Sequence, residues 1–194
     1  MTVPFVLEIK SDYLCVNKKE VLRYLNVREM DEDLQALYSE CSETIKKISK
    51  PKAAYIKTDI AIEKELIDFG FMKVKSQNLA TNLMGCTKAF IFCTTLGIEV
   101  DRYMERYSHI SQAKSMVLSA VASSYVESCC EYVNHELAKD EVSRPRYSPG
   151  YGDLNLECQG NILNALCAGK IGVTLTDSYL MKPIKSVTAI IGIK

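Results

Sequence analysis

The sequence is 194 residues long, and 24 Lys and Arg residues balance 24 Asp and Glu residues, so the formal net charge is zero. A balanced charge creates no basic field for non-specific attraction to nucleic acid, so no nucleic-acid partner is expected. Hydrophobic residues make up 47% of the chain, but no run of them approaches the roughly 20 apolar residues that cross a bilayer. These features predict a single domain over residues 1–194 with no membrane span.

The N-terminal segment and the cysteines bear on the cellular compartment. Glu8 and Lys10 interrupt the first ten residues, which therefore lack the long apolar core of a secretory signal, and a cytoplasmic location is expected. The chain has eight cysteines, no C-x-x-C pair and only two histidines. We therefore predict reduced thiols and no metal site.

The N-terminal half mixes strand and helix patterns. Residues 2–10 are rich in β-formers with a proline near the start, which is typical of an edge strand. Helices are predicted over 17–25 and 31–48, the latter because its apolar residues recur at three- and four-residue spacing. The remaining patterns predict strands at 53–62 and 70–74 and a short helix at 76–84.

The C-terminal half begins with K-A-F-I-F-C-T-T-L-G at 88–97, a nearly continuous apolar run that predicts a central strand buried on both faces. Three helix patterns follow, at 98–107, 111–138 and 154–168. The tail predicts strands at 171–176 and 186–194, joined by a turn or helical turn.

The order of strands and helices along the whole chain lacks the regular alternation of a doubly wound sheet. We therefore predict an α+β fold, with a mixed, largely antiparallel sheet and flanking helices that include one long helix. Glycine-rich phosphate loops are absent from the sequence.

The loop R-Y-S-P-G-Y-G at 146–152 is the most informative short segment. Pro149 and Gly150 favour a rigid turn. Arg146 has a planar guanidinium that can hold a carboxylate through two parallel hydrogen bonds, and Tyr151 has a flat ring with a polar tip. The loop is therefore a candidate site for an amino-acid ligand. A surface loop held by packing is the alternative interpretation of such a turn.

One side of the predicted helix over 111–138 is small and polar. It carries Ala120, Ser123, Ser124, Glu127, Ser128 and Glu131, which helical geometry places together. Such a side leaves room for a ligand or for another stretch of backbone. The alternative is a solvated face on which the glutamates simply meet water.

Three stretches carry a family resemblance. The loop R-Y-S-P-G-Y resembles the R-x-x-P-G-Y loop of the S-adenosylmethionine-binding activation domain of cobalamin-dependent methionine synthase. The stretch 171–189 is similar to that domain's G-[MV]-x-L-T-[ED]-S-[FY]-x-M-x-P-x-x-S-V-[ST], and E-S-C-C-E-Y at 127–132 is similar to its E-x-x-x-E-Y pattern. The resemblance covers about residues 88–189, and it implies the fold of that activation domain.

The resemblance also implies a set of ligand-binding residues. Arg146 would hold the carboxylate of the methionine moiety of S-adenosylmethionine, and Glu127 would face its sulfonium or ammonium group. Tyr151 would pack beside the same region. Ser148 would act through the backbone of the loop. Farther along, Thr176, Ser178 and Met181 are interpreted as structural residues of a strand and a capped turn.

The implied function is reactivation of a cobalamin enzyme. The methyl group of S-adenosylmethionine would pass to reduced cobalamin on a partner chain, either a methionine synthase or another corrinoid protein, with a flavodoxin-like protein as reductant. Such a transfer depends on positioning, not on a protein acid, base or nucleophile, so no catalytic residue is predicted. The chain is expected to be the accessory activation component of a methyltransferase.

Two departures from the family lead to an expectation of weaker binding. The family continues beyond its S-V-[ST] strand into a segment with a tyrosine pair, whereas this sequence ends at Lys194. Neither Asp12 nor Asp31 lies in the aromatic-rich setting of the family's N-terminal aspartate.

One alternative function is a non-catalytic module that docks on a corrinoid protein without the small ligand. Another, a thiol redox protein built on Cys129 and Cys130, is disfavoured because adjacent helical residues point about 100° apart.

Overall fold

The structure is a computed structural model that describes residues 3–194. Its strands are β1 (Phe5–Glu8), β2 (Lys52–Asp59), β3 (Ala61–Glu63), β4 (Leu66–Asp68), β5 (Lys73–Lys75), β6 (Lys88–Thr95), β7 (Thr174–Leu175), β8 (Met181–Lys182) and β9 (Ser186–Ile193). Its α-helices are α1 (Lys18–Leu25), α2 (Glu32–Ile48), α3 (Gln77–Asn82), α4 (Ile98–Ser108), α5 (Gln112–Ala138) and α6 (Cys158–Ala165). Short 3₁₀ helices lie at Ser11–Tyr13 and Ala168–Ile171.

A four-stranded antiparallel sheet in the order β1-β2-β6-β9 forms the centre of the molecule. Strand β6 pairs along its whole length with β2 on one side and with β9 on the other, and it is buried from Ala89 to Thr95. Because both faces and both edges of β6 are covered, the prediction of a central strand is confirmed. The predicted N-terminal edge strand is also found, since among residues 3–194 β1 pairs with β2 alone. Thr2, the first residue predicted for it, lies outside the described residues.

The smaller elements differ from the sequence predictions. The strand predicted over 53–62 divides into β2 and β3. The amide of Ile60 donates to the carbonyl of Thr87 at 2.9 Å, and after this contact with the main sheet the chain pairs with β4 instead. Strands β4 and β8 were not predicted, since three and two residues are too few to display a strand period. The helix predicted over 154–168 begins only at Cys158, because hydrogen-bonded turns occupy residues 150–154.

The two faces of the main sheet carry different layers. Alternate residues of β9 point to opposite faces, so Ile191 joins the core beneath α1, α2, α4 and α5, while Ile190 joins the core beneath α3 and α6. The long helix α5 lies across the first face, and Leu118, Val121 and Tyr125 along it are buried. The fold is therefore α+β with antiparallel sheets and one long helix, as predicted. Across residues 3–194, no helix combines the length and the apolar character that a membrane crossing requires.

Candidate ligand-binding cleft

A cleft of about 640 Å³ lies at the outer edge of β9, where the sheet meets α5. The segment after α5 runs antiparallel to the C-terminal half of β9, and Tyr147 and Ile190 exchange two backbone hydrogen bonds of 2.8 Å. This pairing stops at Tyr147, so residues 186–188 of β9 border the cleft. The rest of its lining comes from α5, the loop 145–151, α6 and β8. We refer to this feature as the α5–β9 cleft.

Backbone alternation directs polar groups of β9 toward this cleft. Because Ile190 uses its N–H and C=O to pair with Tyr147, the same groups of Thr188 point toward the same edge. The segment 142–147 does not extend far enough to pair with them. At Thr188, the edge of β9 therefore directs a backbone donor and a backbone acceptor toward the cleft, a feature that the sequence did not reveal.

Arg146 is the central charged residue of the cleft. It neighbours Tyr147 along an extended segment, so its side chain points to the opposite face, toward α5. Its guanidinium donates to Glu131 at 2.7 Å and also to Glu127. These glutamates are four residues apart on α5 and thus lie on the same side of that helix. The arginine side chain is 21% exposed, against 42% for Glu127 and 66% for Glu131.

The surroundings of Arg146 keep it charged. Its burial lowers the pKa of the guanidinium, but the neighbouring Cys130, Glu127 and Glu131 outweigh that effect, and the pKa of Arg146 is raised. With two carboxylates against one guanidinium, the cleft carries an excess of negative charge. The sequence interpretation assigned the fork of Arg146 to the carboxylate of a ligand, and in this structure Glu127 and Glu131 occupy that fork.

The Pro-Gly turn holds the other two predicted residues beside Arg146. The amide of Tyr151 donates to the carbonyl of Ser148 at 3.2 Å and closes the turn. Gly150 has a φ of +86°, a left-handed conformation that favours glycine. The carbonyl of Tyr151 also accepts from the hydroxyl of Tyr147 at 3.1 Å. Both Ser148 and Tyr151 line the cleft, and Tyr151 is 68% exposed at its rim.

Asp153 ties this loop to α3. Its carboxylate accepts hydrogen bonds from the hydroxyl of Ser76 and from the amides of Gln77 and Asn78, at 2.7 Å and 3.3 Å for the two amides. These bonds, the one from Ser76 first, hold the pKa of Asp153 below its usual value. The carboxylate thus caps the first turn of α3 and anchors the end of the loop that carries Arg146 and Tyr151.

The small polar side of α5 has two parts, one that packs against backbone and one that faces the cleft. The Ser124 hydroxyl accepts from the amide of Asn17 at 2.8 Å, and the Ser128 hydroxyl accepts from the amide of Cys15 at 3.1 Å. Another stretch of backbone therefore covers this ridge, and Ala120 is buried in the core. Only the neighbouring ridge, with Glu127 and Glu131, faces the cleft. Of the two occupants that the sequence left open for this side, the structure places backbone of residues 15–17 against Ser124 and Ser128, and it places Glu127 and Glu131 at the cleft.

Lys185, the residue before β9, contacts α5 one helical turn N-terminal to Glu127. Its ammonium donates to the hydroxyl of Ser123 at 2.8 Å and to the hydroxyl and carbonyl of Ser119, both at 3.2 Å. Burial lowers the pKa of Lys185, and the nearby Asp101 opposes this effect. The contact fixes the spacing between α5 and the start of β9 next to the cleft.

Sequence reasoning missed several residues that line the cleft. Gln159 and Thr188 are 4% and 2% exposed, and they form part of its floor. Met181, which was interpreted as structural, also lines it. Thr176 does have the expected structural contacts, because its hydroxyl accepts from the amide of Leu180 at 3.1 Å. A buried polar residue such as Gln159 leaves no periodic signal in the sequence, so no pattern could have identified it.

The structure brings Glu127, Arg146, Ser148 and Tyr151 together in one cleft. Asp31 lies elsewhere, as the N-cap of α2, and Asp12 lies in the 3₁₀ helix before α1.

Cys129 and Cys130 are fully buried. Burial raises the pKa of Cys129 to about 12 and that of Cys130 well above its usual value. Neither thiol is therefore placed for redox chemistry at neutral pH.

Comparison with known proteins identifies the fold. No protein-family model and no curated protein matches the sequence. Among solved structures, the crystal structure of the MetH reactivation domain bound to AdoHcy is similar, with a TM-score of 0.72 and 16% sequence identity. The match covers 97% of this chain and 78% of that one. The chain therefore has the fold of the MetH reactivation domain, as the sequence resemblance predicted.

Proposed function

We propose that this chain binds S-adenosylmethionine in the α5–β9 cleft and acts as a reactivation component for a cobalamin-dependent methionine synthase or another corrinoid protein. One observation supports this most strongly. Arg146, Glu127 and Tyr151 meet in a single cleft, in a chain that shares its fold with a reactivation domain solved with AdoHcy.

The size and charge of the cleft suit this ligand. Its volume of about 640 Å³ lies within the range of roughly 300 to 1,000 Å³ typical of small-molecule sites. S-adenosylmethionine has an ammonium, a sulfonium and a carboxylate, so it is positively charged overall. The cleft has the opposite excess, with Glu127 and Glu131 against Arg146. The charges of the ligand and the cleft are therefore complementary.

Binding would proceed by an exchange of ionic partners. The guanidinium of Arg146 now holds two carboxylates of α5. The carboxylate of the ligand would take over this fork through two parallel hydrogen bonds. Glu127 would then face the positive groups of the ligand, and the exposed ring of Tyr151 would lie against the same region. The loop 145–151 is held by the hydrogen bonds of its turn and by the contacts of Asp153 with α3. The exchange would therefore need motion of side chains and not of the backbone.

The residues of this chain bind and orient; none of them has to move a proton. The bound sulfonium would supply the methyl group for reduced cobalamin on a partner chain, and S-adenosylhomocysteine would remain in the cleft. A flavodoxin-like protein would supply the electron that reduces the cobalamin. In such a reaction the contribution of this chain is to hold the donor in line with the acceptor.

The alternative is a module that docks on a corrinoid protein and no longer binds the small ligand. The observation in its favour is that both terminal nitrogens of Arg146 are already paired with carboxylates. On this alternative, the ion pairs would be permanent structural contacts between the loop and α5.

Calorimetric titration with S-adenosylmethionine tests the proposal. We expect saturable binding to the wild-type chain and at least a tenfold loss in Arg146→Ala, because a charged hydrogen bond contributes about 1.5 to 3 kcal/mol. Arg102→Ala is the matched control, since Arg102 is an exposed arginine on α4 that pairs with Glu99 at 2.7 Å. Circular dichroism should show that both variants keep the fold. No binding of S-adenosylmethionine or S-adenosylhomocysteine by the wild type, together with a measurable complex with a cobalamin-loaded synthase, would favour the docking alternative.

A further inference from the structure

The α5–β9 cleft contains one carboxylate more than a site for a single ammonium requires. Glu131 lies one helical turn beyond Glu127, and both contact Arg146. Arg146 is the only basic residue lining the cleft within the described part of the chain. If a ligand's carboxylate takes over the guanidinium, two carboxylates on the same ridge of α5 lose their cationic partner.

We infer, on the basis of the proposed function, that Glu131 is a specificity-determining residue that makes the cleft prefer S-adenosylmethionine over S-adenosylhomocysteine. The spacing of the charges supports this. Side chains four residues apart on a helix have Cβ atoms about 5–6 Å apart. The ammonium and the sulfonium of S-adenosylmethionine are joined through three carbons, so their separation reaches roughly 5 Å when this chain is extended. Two carboxylates therefore match two positive charges.

The product of methyl donation has lost one of these charges. In S-adenosylhomocysteine the sulfur is a neutral thioether, so its ammonium satisfies one carboxylate and the other has only water as a partner. The second carboxylate thus contributes binding energy to the methyl donor and not to the product. Glu131 is 66% exposed, and an exposed ion pair is screened by solvent. We therefore expect Glu131 to favour S-adenosylmethionine by about two- to fivefold.

Titration of the full chain with three ligands tests this inference. The ligands are S-adenosylmethionine, S-adenosylhomocysteine and sinefungin, in which an amine-bearing carbon replaces the sulfonium and retains a positive charge. In Glu131→Gln we expect weaker binding of S-adenosylmethionine and sinefungin, by about two- to fivefold, and little change for S-adenosylhomocysteine. Added salt should reduce the difference, because exposed charges are screened.

The matched control is Glu136→Gln. Glu136 lies on the same helix, but it pairs with Lys139 at 3.7 Å and does not line the cleft. The inference is overturned if Glu131→Gln weakens all three ligands equally, leaves all three unchanged, or affects S-adenosylmethionine but not sinefungin. It is also overturned if Glu136→Gln has the same effect. In each of these cases the wild-type chain still binds, so the proposed function stands. If the wild type binds none of the ligands, the proposed function and the inference both fail.

Discussion

The hydroxyl of Thr188 donates to Oε1 of Gln159 at 2.9 Å, and this buried contact joins β9 to α6 at the floor of the α5–β9 cleft. The amide nitrogen of Gln159 donates in turn to the carbonyl of Tyr179 at 2.8 Å. One side chain therefore holds the strand edge and the segment before β8 in a single arrangement.

Replacing Gln159 with leucine should destabilise the protein. Gln159→Leu leaves the Thr188 hydroxyl and the Tyr179 carbonyl without their partner, which costs about 1–3 kcal/mol of unfolding free energy. Urea denaturation measures this loss. The double variant Gln159→Leu/Thr188→Val should recover part of it, because it removes one of the two stranded polar groups. Equal stability of the wild type and Gln159→Leu would show that the contact contributes nothing.

Replacing Gly150 with alanine should distort the Pro-Gly turn. The φ of +86° at this position is strained for any residue with a Cβ atom, and the added atom would lie 3.4 Å from Cδ1 of Leu156. We expect a loss of about 1–2 kcal/mol in stability, together with weaker S-adenosylmethionine binding because Arg146 and Tyr151 would shift. Gly169→Ala is the control, since no atom lies within 4 Å of a Cβ atom there. Wild-type affinity in Gly150→Ala would mean that the turn does not position the ligand.

Replacing Asp153 with asparagine should change how stability depends on pH. The pKa of Asp153 is lowered in the folded protein, first by its bond from Ser76 and then by backbone bonds. Because this pKa is lower in the folded protein than its ordinary value of 3.8, the ionised carboxylate stabilises the fold at pH values above 3.8. This stabilisation is lost as the pH falls through the pKa of the folded state. Asp153→Asn should therefore have a lower Tm than the wild type at neutral pH, and the difference should shrink below about pH 4. A difference in Tm that is constant with pH would contradict this origin.

Alkylation should separate two exposed cysteines from six buried ones. All eight cysteines lie within the described residues, and only Cys15 and Cys167 are exposed. Burial raises the pKa of Cys93 and Cys129 to about 12, so these thiols are almost entirely protonated at neutral pH. Iodoacetamide followed by mass spectrometry should show two modified sites in the native protein. Rapid modification of Cys129 or Cys130 would reopen the redox alternative.

A second measurement tests the link between thiols and ligand binding. The variant Cys15→Ser/Cys167→Ser removes both exposed thiols, and neither residue lines the cleft. We expect it to bind S-adenosylmethionine as the wild type does. A loss of binding in a variant that remains folded would indicate a role for these thiols that the proposed function does not include.

Local patterns in the sequence determined the elements of regular structure and the turn. The apolar spacing of α2, the long uninterrupted pattern of α5 and the apolar run of β6 each depend on neighbours a few residues away, so they could be interpreted without coordinates. The Pro149-Gly150 pair likewise predicted a turn. The family resemblance then selected Glu127, Arg146, Ser148 and Tyr151, which the structure brings into one cleft.

Only the tertiary structure decided which polar groups meet. The pairing of Arg146 with Glu131 depends on the path of the chain between α5 and β9, and the contact between Ser128 and Cys15 joins residues 113 positions apart. Gln159 and Thr188 became visible as the floor of the cleft only once α6 and β9 were packed together. Contacts of this kind carry no sequence period, because they arise from burial and from the crossing of distant elements. The sequence by itself thus indicated the fold and four candidate residues, and the three-dimensional packing determined their charge balance and their accessible surface.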